Sequence, residues 1–456
     1  MKILPFLFEK LDSEYLATNH SGAFTFLKEN ELSSLINEKF NEIEHLHEEL
    51  ISKAFITNEK NEKLNLRLLT TALATRKADI NKKLSLLMVV PTLRCDHSCS
   101  YCQVSRAPIS SNKHDMSDDD VDLVISYINS KSSYNLKVEF QGGEPLVRFD
   151  IIKRIIEATE KKGIEYVITS NLSFCDNEVL EFCKDREVYF STSLDGPKEI
   201  HNKNRGNQKN DSYEIAKNGI KNIQNVLGEN KASAVGTITK FSLGKTKEIV
   251  DEYINNNLKT LFFRPVSSYG FAGHTNYNTI TTNEYANFYK ELLDYVLSIK
   301  DKRDLLEVNA DIRLRKIFGK NPYYADLVSP TSHGTGVLLF NFDGKVYGSD
   351  EARMLKEMYK EDFSLGTFDD FINNIINKDL QQNLFGASII EFNPGCCDCA
   401  YQPYCGSDPI YHLMNQGDFT GNKKDSEFCK KEKAHYSILF SELKNDPTVY
   451  ESLKHR

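Results

Sequence analysis

Short apolar runs alternate with amphipathic segments through the middle of the chain. The first run, LSLLMVVP at residues 84–91, is almost unbroken, which is typical of a parallel strand buried on both faces. Five more strands are predicted at LKVEFQ, EYVITS, VYFSTSL, SAVGTIT and LKTLFFRP. Ser117 is expected to cap the first intervening helix, and further helices are predicted near residues 149–162, 177–185, 212–226 and 245–256. Six strand–helix units indicate an α/β fold, an open (β/α)6 partial barrel whose functional residues gather at the carboxyl ends of its strands.

The segments on either side of this barrel have different patterns. EYLATNHSGAFTFL predicts a hairpin, and ELSSLINEKFNEIEHL, which follows it, has helical spacing. After the barrel, VLLFNFDGKVYGSDEARM predicts a second hairpin around Asp343-Gly344. The chain therefore divides into a small N-terminal α+β module with its connector, the barrel, a helical bridge and a C-terminal unit, with predicted bounds of 1–83, 84–300, 301–330 and 331–456.

Composition narrows the function classes. The 456 residues are 40% hydrophobic and 27% charged, as in globular proteins, and the net charge of −8 gives no basic footprint for nucleic acid. No apolar run reaches the length of a membrane span, and Pro and charged residues interrupt the N-terminus too early for a signal peptide. Ten Cys without a secretion signal favour reduced thiols and metal binding, so a cytoplasmic location is expected.

The candidate chemistry begins in the loop RCDHSCSYCQ, directly after the first strand. Cys95, Cys99 and Cys102 place three thiolates within eight positions, enough to face one iron–sulfur cube while leaving its fourth iron without a protein ligand. An open iron can bind a reactant. Zinc sites more often show two CxxC-like pairs, and disulfide pairing would leave one of the three unpaired, so both alternatives fit less well.

Three further strands end in polar motifs. The second ends in Gln141-Gly142-Gly143-Glu144-Pro145, whose glycines permit close approach of a ligand to the backbone. The third ends in Thr169-Ser170-Asn171. The fourth ends in Ser193-Leu194-Asp195-Gly196-Pro197, and Arg205 lies downstream. A Ser hydroxyl and an Arg guanidinium suit a carboxylate ligand, although a surface Arg after a turn is the alternative.

The cysteine spacing and the Gly-Gly-Glu-Pro motif resemble those of the radical S-adenosylmethionine (SAM) superfamily. The resemblance implies a [4Fe–4S] cluster on the three cysteines, with SAM on the open iron and reductive cleavage to a 5′-deoxyadenosyl radical. It also implies the SAM and substrate contacts. Gln141 would face the ribose and substrate side, and Tyr101 would lie against adenine. The remaining cofactor-binding candidates are Gly142, Gly143 and Glu144 for the amino group, Ser193 and Arg205 for the carboxylate, and Asn171 at the third strand end.

A second cysteine set lies near the C-terminus. Cys396, Cys399, Cys405 and Cys429 could close a second cluster fully, and zinc is the structural alternative. The run resembles the SPASM extension of peptide-modifying radical SAM enzymes, which implies a SPASM-like iron–sulfur domain. Full SPASM domains hold two auxiliary clusters. Here Gly348-Ser349-Asp350 lacks the Cys expected after the hairpin glycine, and Pro409 replaces the last Cys of the usual run. One auxiliary [4Fe–4S] cluster is therefore expected, with Cys397 left over.

Asp350 falls on the position that serves as a base in the sulfatase-maturing relatives. It is therefore a candidate catalytic residue, able to accept a proton as a substrate radical loses an electron. Glu351 and Arg353 are its neighbours in sequence, so an ordinary ion-paired turn is the competing interpretation.

Long local stretches give a finer resemblance. LPFLFEKLDSEYLATNHSGAF, TLRCDHSCSYCQVSR, FQGGEPL, SDEARML and CAYQPYCG most resemble the radical SAM/SPASM maturases of the His-Xaa-Ser peptide system. This implies crosslinking or ring closure in a ribosomally made precursor peptide, with a second radical SAM maturase and a flavodoxin or ferredoxin donor as partners. Residues 1–57 are similar to modules that bind leader peptides, although a lid or spacer fits equally. A sulfatase-maturase-like oxidase and a non-enzymatic cluster or zinc scaffold stay open.

Overall fold

The computed structural model describes residues 1–78, 84–131, 136–160, 163–206, 211–270, 273, 278–319, 333–359, 361–373, 375–449 and 453. The chain forms two compact units. One comprises residues 83–309 and 333–383, and the other comprises residues 1–82, 310–332 and 384–456. The predicted connector end at 79–83, the last residues of the helix near 149–162, and residues 320–330 of the predicted bridge lie outside the described ranges.

A nine-stranded sheet forms the centre of the first unit. Its spatial order is Phe263–Pro265, Ala232–Ile238, Val188–Ser193, Glu165–Thr169, Lys137–Gly142, Leu86–Thr92, Val337–Phe340, Lys345–Tyr347 and Gly366–Thr367. The first seven strands are parallel, and the last two add in antiparallel fashion. The predicted α/β fold with a mostly parallel sheet is confirmed. The strands are apolar because helices cover them, and Leu87, Val89 and Val90 are fully buried.

Helices connect these strands at the predicted places. Ser117 accepts a hydrogen bond from the amide of Asp120 and caps the first helix, as expected. The helices of this unit are Asp118–Ser130, Phe149–Thr159, Asn177–Cys183, Lys198–Asn204, Ser212–Leu227, Thr246–Asn255, Thr282–Ile299, Asp350–Tyr359 and Phe368–Ile372. The predicted sixth strand divides in two, because Thr260–Leu261 pairs with Leu306–Glu307 and only Phe263–Pro265 joins the large sheet.

The second hairpin belongs to this sheet and not to a separate C-terminal unit. Val337–Phe340 pairs in parallel with Leu86–Thr92, and all four of its residues are buried. Residues 333–383 therefore group with the large sheet, which differs from the predicted boundary at 331. The physical reason is that the edge of the first strand needs a partner for its backbone groups.

The other unit combines the two ends of the chain. Leu7–Leu11, Glu14–Thr18 and Phe24–Leu27 form a three-stranded antiparallel sheet, and Lys2–Ile3 pairs with Ile56–Thr57. The N-terminal helices are Glu29–Ile36, His47–Ser52 and Glu62–Lys77. The later helices are Val308–Phe318 and Lys378–Ala387, which cross the boundary between units, and Pro409–Gln416 and Glu427–Asn445. The predicted N-terminal hairpin is present, but it shares its unit with the C-terminal cysteines.

Candidate active site

Two short strand pairs fix the loop of the first three cysteines. Arg94–Cys95 pairs in parallel with Ala107–Pro108, and Ser98–Cys99 pairs antiparallel with Arg205–Gly206. Cys102 donates its amide hydrogen to the carbonyl oxygen of Cys99 at 3.2 Å. The sequence therefore brings Arg205, which follows the fourth strand, beside the second cysteine of the loop.

The three thiols are half-buried. Burial raises the pKa of the Cys99 thiol to about 11, and the neighbouring Arg205 guanidinium opposes that shift. Burial also raises the pKa of the Cys95 thiol, and the nearby Glu144 carboxylate adds to the shift. The Cys95 and Cys99 thiols are therefore protonated at neutral pH in the metal-free protein. Iron would replace their protons, since metal sites bind Cys as the thiolate.

Gly142 and Gly143 pack against the base of the cysteine loop. A Cβ on Gly142 would lie 2.3 Å from the carbonyl oxygen of Thr92, and one on Gly143 would lie 2.3 Å from that of Leu93. The amide of Gly143 donates to Thr92 O at 3.0 Å, and that of Glu144 donates to Arg94 O at 2.7 Å. The close approach that the sequence predicts is thus made to the chain's own backbone.

Glu144 joins two strand ends beneath the cysteine loop. It is fully buried, and its carboxylate accepts hydrogen bonds from Ser170 Oγ (2.8 Å) and from the amides of Leu146 (3.0 Å) and Asn171 (2.7 Å). Burial raises its pKa to about 7, and these donors oppose the shift. Asn171 Nδ2 lies 3.7 Å from Cys95 Sγ. The predicted Glu144 and Asn171 therefore lie together next to the first cysteine.

A buried carboxylate that sequence reasoning did not single out organises the opposite side. Asp195 accepts hydrogen bonds from Tyr101 Oη (2.6 Å), Asn204 Nδ2 (3.1 Å) and the Thr237 amide (3.1 Å). Its Oδ2 lies 3.5 Å from Arg205 Nε, and the guanidinium lies 5.2 Å from the centre of the Tyr101 ring. The sequence signal for Asp195 was an acidic residue directly after the fourth predicted strand, in a chain whose other motifs also follow predicted strands.

A second network missed from the sequence ties the loop to a helix start. His97, between the first two cysteines, has Nε2 at 2.9 Å from Ser212 Oγ, and His201 Nε2 lies 3.1 Å from the same oxygen. The Asp195 amide donates to His201 Nδ1 at 3.3 Å. All four residues are buried. The cysteine loop is therefore connected through side chains to the end of the fourth strand.

The remaining candidates have separate positions. Ser193 is half-buried at the end of its strand, and Gln141 Nε2 donates to Met88 Sδ at 3.1 Å. Asp350 begins a helix after the antiparallel strand of the second hairpin, and it accepts a hydrogen bond from Arg353 Nε at 2.8 Å. Arg353 is fully buried and also donates to the carbonyl oxygen of Val104, two residues after the third cysteine. Asp350 thus has the ion pair that the competing interpretation anticipates.

The C-terminal cysteines meet at one cavity. Four thiols line it, those of Cys396, Cys399, Cys405 and Cys429. Cys397 does not line it and is exposed, with its Sγ 3.6 Å from Asp398 Oδ2. The structure therefore separates the leftover cysteine from the predicted set.

Positive charge accompanies these four thiols. Lys423 and Lys433 line the same cavity, and Lys423 Nζ donates to Ser407 Oγ at 3.2 Å. Burial raises the pKa of Cys396 to about 11 and that of Cys399 to about 12, while the lysines oppose both shifts. A four-cysteine cluster carries net negative charge, so four thiols with two lysines are a donor set that fits an iron–sulfur cluster.

The first set also fits its implied group. Among the described residues, Arg205 Nε makes no hydrogen bond and has only the ion pair with Asp195 at 3.5 Å, so the guanidinium keeps donor capacity for a ligand carboxylate beside Cys99. Within the described ranges, no three His, Cys, Asp or Glu side chains converge closely enough to hold one metal ion. A [4Fe–4S] cluster instead takes one thiolate on each iron.

None of the described helices is long and apolar enough to cross a membrane.

Comparisons with known proteins agree with this geometry. The sequence profile of the Radical SAM superfamily matches residues 89–261. A cysteine-type anaerobic sulfatase-maturating enzyme of Clostridium novyi is 23% identical over 392 residues, which cover 79% of this chain and 96% of that enzyme.

Two solved structures share the fold. Native anSMEcpe with bound AdoMet and Cp18Cys peptide has a TM-score of 0.65 at 19% identity, covering 80% of this chain and 99% of that one. Streptococcus suis SuiB bound to precursor peptide SuiA has a TM-score of 0.55 at 16% identity, covering 93% of this chain and 99% of that one. The predictions of SAM and iron–sulfur cofactors are confirmed by the family match. Residues 89–261 therefore form a radical SAM domain, in a chain homologous to the anaerobic sulfatase-maturating enzymes.

Proposed function

We propose that this chain modifies a ribosomally synthesised peptide with His-Xaa-Ser repeats by radical SAM chemistry. The observation that carries this is a contact between two stretches on which the finer resemblance rests. Thr18 Oγ1 donates to Ala400 O at 2.7 Å, and Tyr404 Oη donates to Gly22 O at 3.1 Å. The N-terminal hairpin and the CAYQPYCG loop are thus in direct contact, which supports treating them as a joint signature.

Cys95, Cys99 and Cys102 would hold the first cluster, with its open iron free for SAM. When bound, SAM on the reduced cluster supplies a 5′-deoxyadenosyl radical that removes a hydrogen atom from the peptide. Arg205 binds the SAM carboxylate through its fork of donors, and Asp195 holds the guanidinium in place. Ser193, Asn171 and Glu144 complete the SAM contacts, with Gly142 and Gly143 fixing the loop, Tyr101 against adenine and Gln141 toward the substrate.

Asp350 is the proposed proton acceptor for the substrate. Arg353, its partner at 2.8 Å, orients the carboxylate and keeps it next to the cysteine loop through Val104. Because the carboxylate accepts several hydrogen bonds, Asp350 would accept one from the substrate beside the one from Arg353. Cys396, Cys399, Cys405 and Cys429 would hold the auxiliary cluster, which would supply an acceptor for the surplus electron. A flavodoxin or ferredoxin supplies the first electron, and a second radical SAM maturase acts on the same peptide.

Sulfatase-type oxidation of a Cys or Ser side chain is the second candidate. It is favoured by the alignment that covers nearly all of the Clostridium novyi enzyme. Against it stands the cysteine set of this chain, which supplies ligands for one auxiliary cluster, because Ser349 and Pro409 stand where further thiols are expected.

Mass spectrometry of co-expressed peptides separates the two candidates. A His-Xaa-Ser precursor is expected to lose two hydrogens within a repeat and to resist fragmentation there, because a crosslink joins two residues. A sulfatase-derived peptide is expected to stay unchanged. A hydrazide-reactive aldehyde on that peptide, with an unmodified repeat, would contradict the proposal. The matched control is the C95A/C99A/C102A variant, which should modify neither peptide.

A further inference from the structure

A carboxylate from the N-terminal sheet lies against a thiol of the C-terminal set. Glu9 is the central residue of Leu7–Leu11, and its Oε2 lies 3.8 Å from Cys399 Sγ. Lys433 Nζ donates to both oxygens of Glu9, at 2.8 and 3.0 Å. Since Lys433 also lines the cavity of the four cysteines, the ion pair stands at the rim of that cavity.

Neighbouring contacts fix this carboxylate in place. Asp12, at the turn after the same strand, accepts hydrogen bonds from Ser441 Oγ and Lys444 Nζ on the helix that carries Lys433. The strand that carries Glu9 is therefore bound to that helix at two points. His20, in the turn between the second and third strands of the sheet, has Nδ1 at 3.0 Å from Gln402 Oε1, so the sheet also contacts the loop between Cys399 and Cys405.

We propose that the Glu9–Lys433 pair sets the reduction potential of the auxiliary cluster. This rests on the proposed function, because it requires a cluster on the four C-terminal cysteines. One-electron reduction adds a negative charge to the cluster. A nearby lysine stabilises the reduced form and a nearby carboxylate destabilises it, and the size of both effects grows as the site becomes less hydrated. The two members of the pair therefore act in opposite directions.

Single substitutions expose these opposite effects. In E9Q, Lys433 loses its counter-charge, and the midpoint potential is expected to shift to more positive values. In K433M, Glu9 remains unpaired beside the thiolates, and the potential is expected to shift to more negative values. The double variant should return toward the unsubstituted protein. A merely structural role predicts the same direction of change, such as iron loss, in both single variants.

The test uses the full chain with C95A/C99A/C102A, reconstituted anaerobically, so that iron, sulfide and the redox-titrated spectrum report the auxiliary cluster alone. Matched controls are K2M and E62Q, since Lys2 and Glu62 form an ion pair of the same 2.8 Å length and similar exposure in the same unit. These should leave the potential unchanged. Opposite shifts with full iron loading support the inference.

Three outcomes overturn it. Equal potentials in loaded E9Q and K433M variants, or shifts in one direction, would show that the pair does not set the potential. Iron loss in both variants with loaded controls would show a structural support only. A C95A/C99A/C102A protein that holds no iron would overturn the auxiliary cluster itself, and this inference with it.

Discussion

Substitution of Asp195 by Asn removes the charge that organises one side of the first site. The three groups that bind its carboxylate all donate hydrogen: Tyr101 Oη at 2.6 Å, Asn204 Nδ2 at 3.1 Å and the Thr237 amide at 3.1 Å. In D195N the side-chain NH2 group, itself a hydrogen-bond donor, would face at least one of these donors and leave it without an acceptor. Arg205, 3.5 Å away, would lose its counter-charge.

The size of the effect follows from burial. Breaking a buried ion pair by removing one partner costs about 3–5 kcal/mol. Because the Arg205 side chain keeps 14% of its exposure while Asp195 has none, we take the lower end, about 3 kcal/mol. In a unit of this size each kcal/mol lowers the melting temperature by about 2–4 °C, so the D195N variant of this unit should melt about 6–12 °C lower.

Calorimetry on the metal-free protein under anaerobic conditions measures this change in melting temperature without interference from cluster loss. The control is D294N, since Asp294 forms an exposed ion pair with Lys290 one helical turn away and should change stability by at most about 0.5 kcal/mol. If D195N melts within 2 °C of D294N, as an order-of-magnitude threshold, the Asp195 charge does not hold this side of the site.

Three further predictions concern single residues. G143A should lower the free energy of unfolding by about 1–3 kcal/mol and reduce the iron bound at the first three cysteines, because its Cβ would lie 2.3 Å from a carbonyl oxygen. The control is G386A, whose Cβ would meet open space, and it should be neutral or stabilising in thermal melts. Because burial raises the Glu144 pKa to about 7 from an unfolded value of 4.5, the folded state binds the proton more tightly. Stability should thus fall by on the order of 3 kcal/mol between pH 4.5 and 8, a slope that E144Q lacks in denaturant titrations. C405A should lose the auxiliary iron and C397A should keep it; equal iron contents would contradict the four-cysteine set.

The local sequence pattern was sufficient to predict most strands of the large sheet. Leu86–Thr92 and its parallel neighbours were predicted because each is an apolar run that a covered strand requires. The place of Val337–Phe340 in the large sheet was not predicted, because an apolar strand before a tight turn fits a separate hairpin equally well. Which edge it joins depends on contacts with a segment about 250 residues away, and no local signal reports them.

The candidate site shows the same division. The cysteine loop and Glu144 were predicted as site residues because the cysteine spacing and the Gly-Gly-Glu-Pro motif are local features of the sequence. Asp195 and His97 were missed because their importance comes from burial and from partners distant in sequence. Gly143 was predicted for contact with a ligand, yet its missing Cβ makes room for the backbone of the cysteine loop. Sequence alone cannot separate the two, since both require only that no side chain be present.

The formation of 5′-deoxyadenosine tests the central claim most directly. The full chain, reconstituted with iron and sulfide, reduced and supplied with SAM, is expected to release 5′-deoxyadenosine. Substitution of Cys95, Cys99 or Cys102 by Ala should abolish that release, while C397A should leave it unchanged. A fully iron-loaded protein that releases no 5′-deoxyadenosine, or a C99A variant that releases as much as the unsubstituted chain, would contradict the assignment of radical SAM chemistry to this loop.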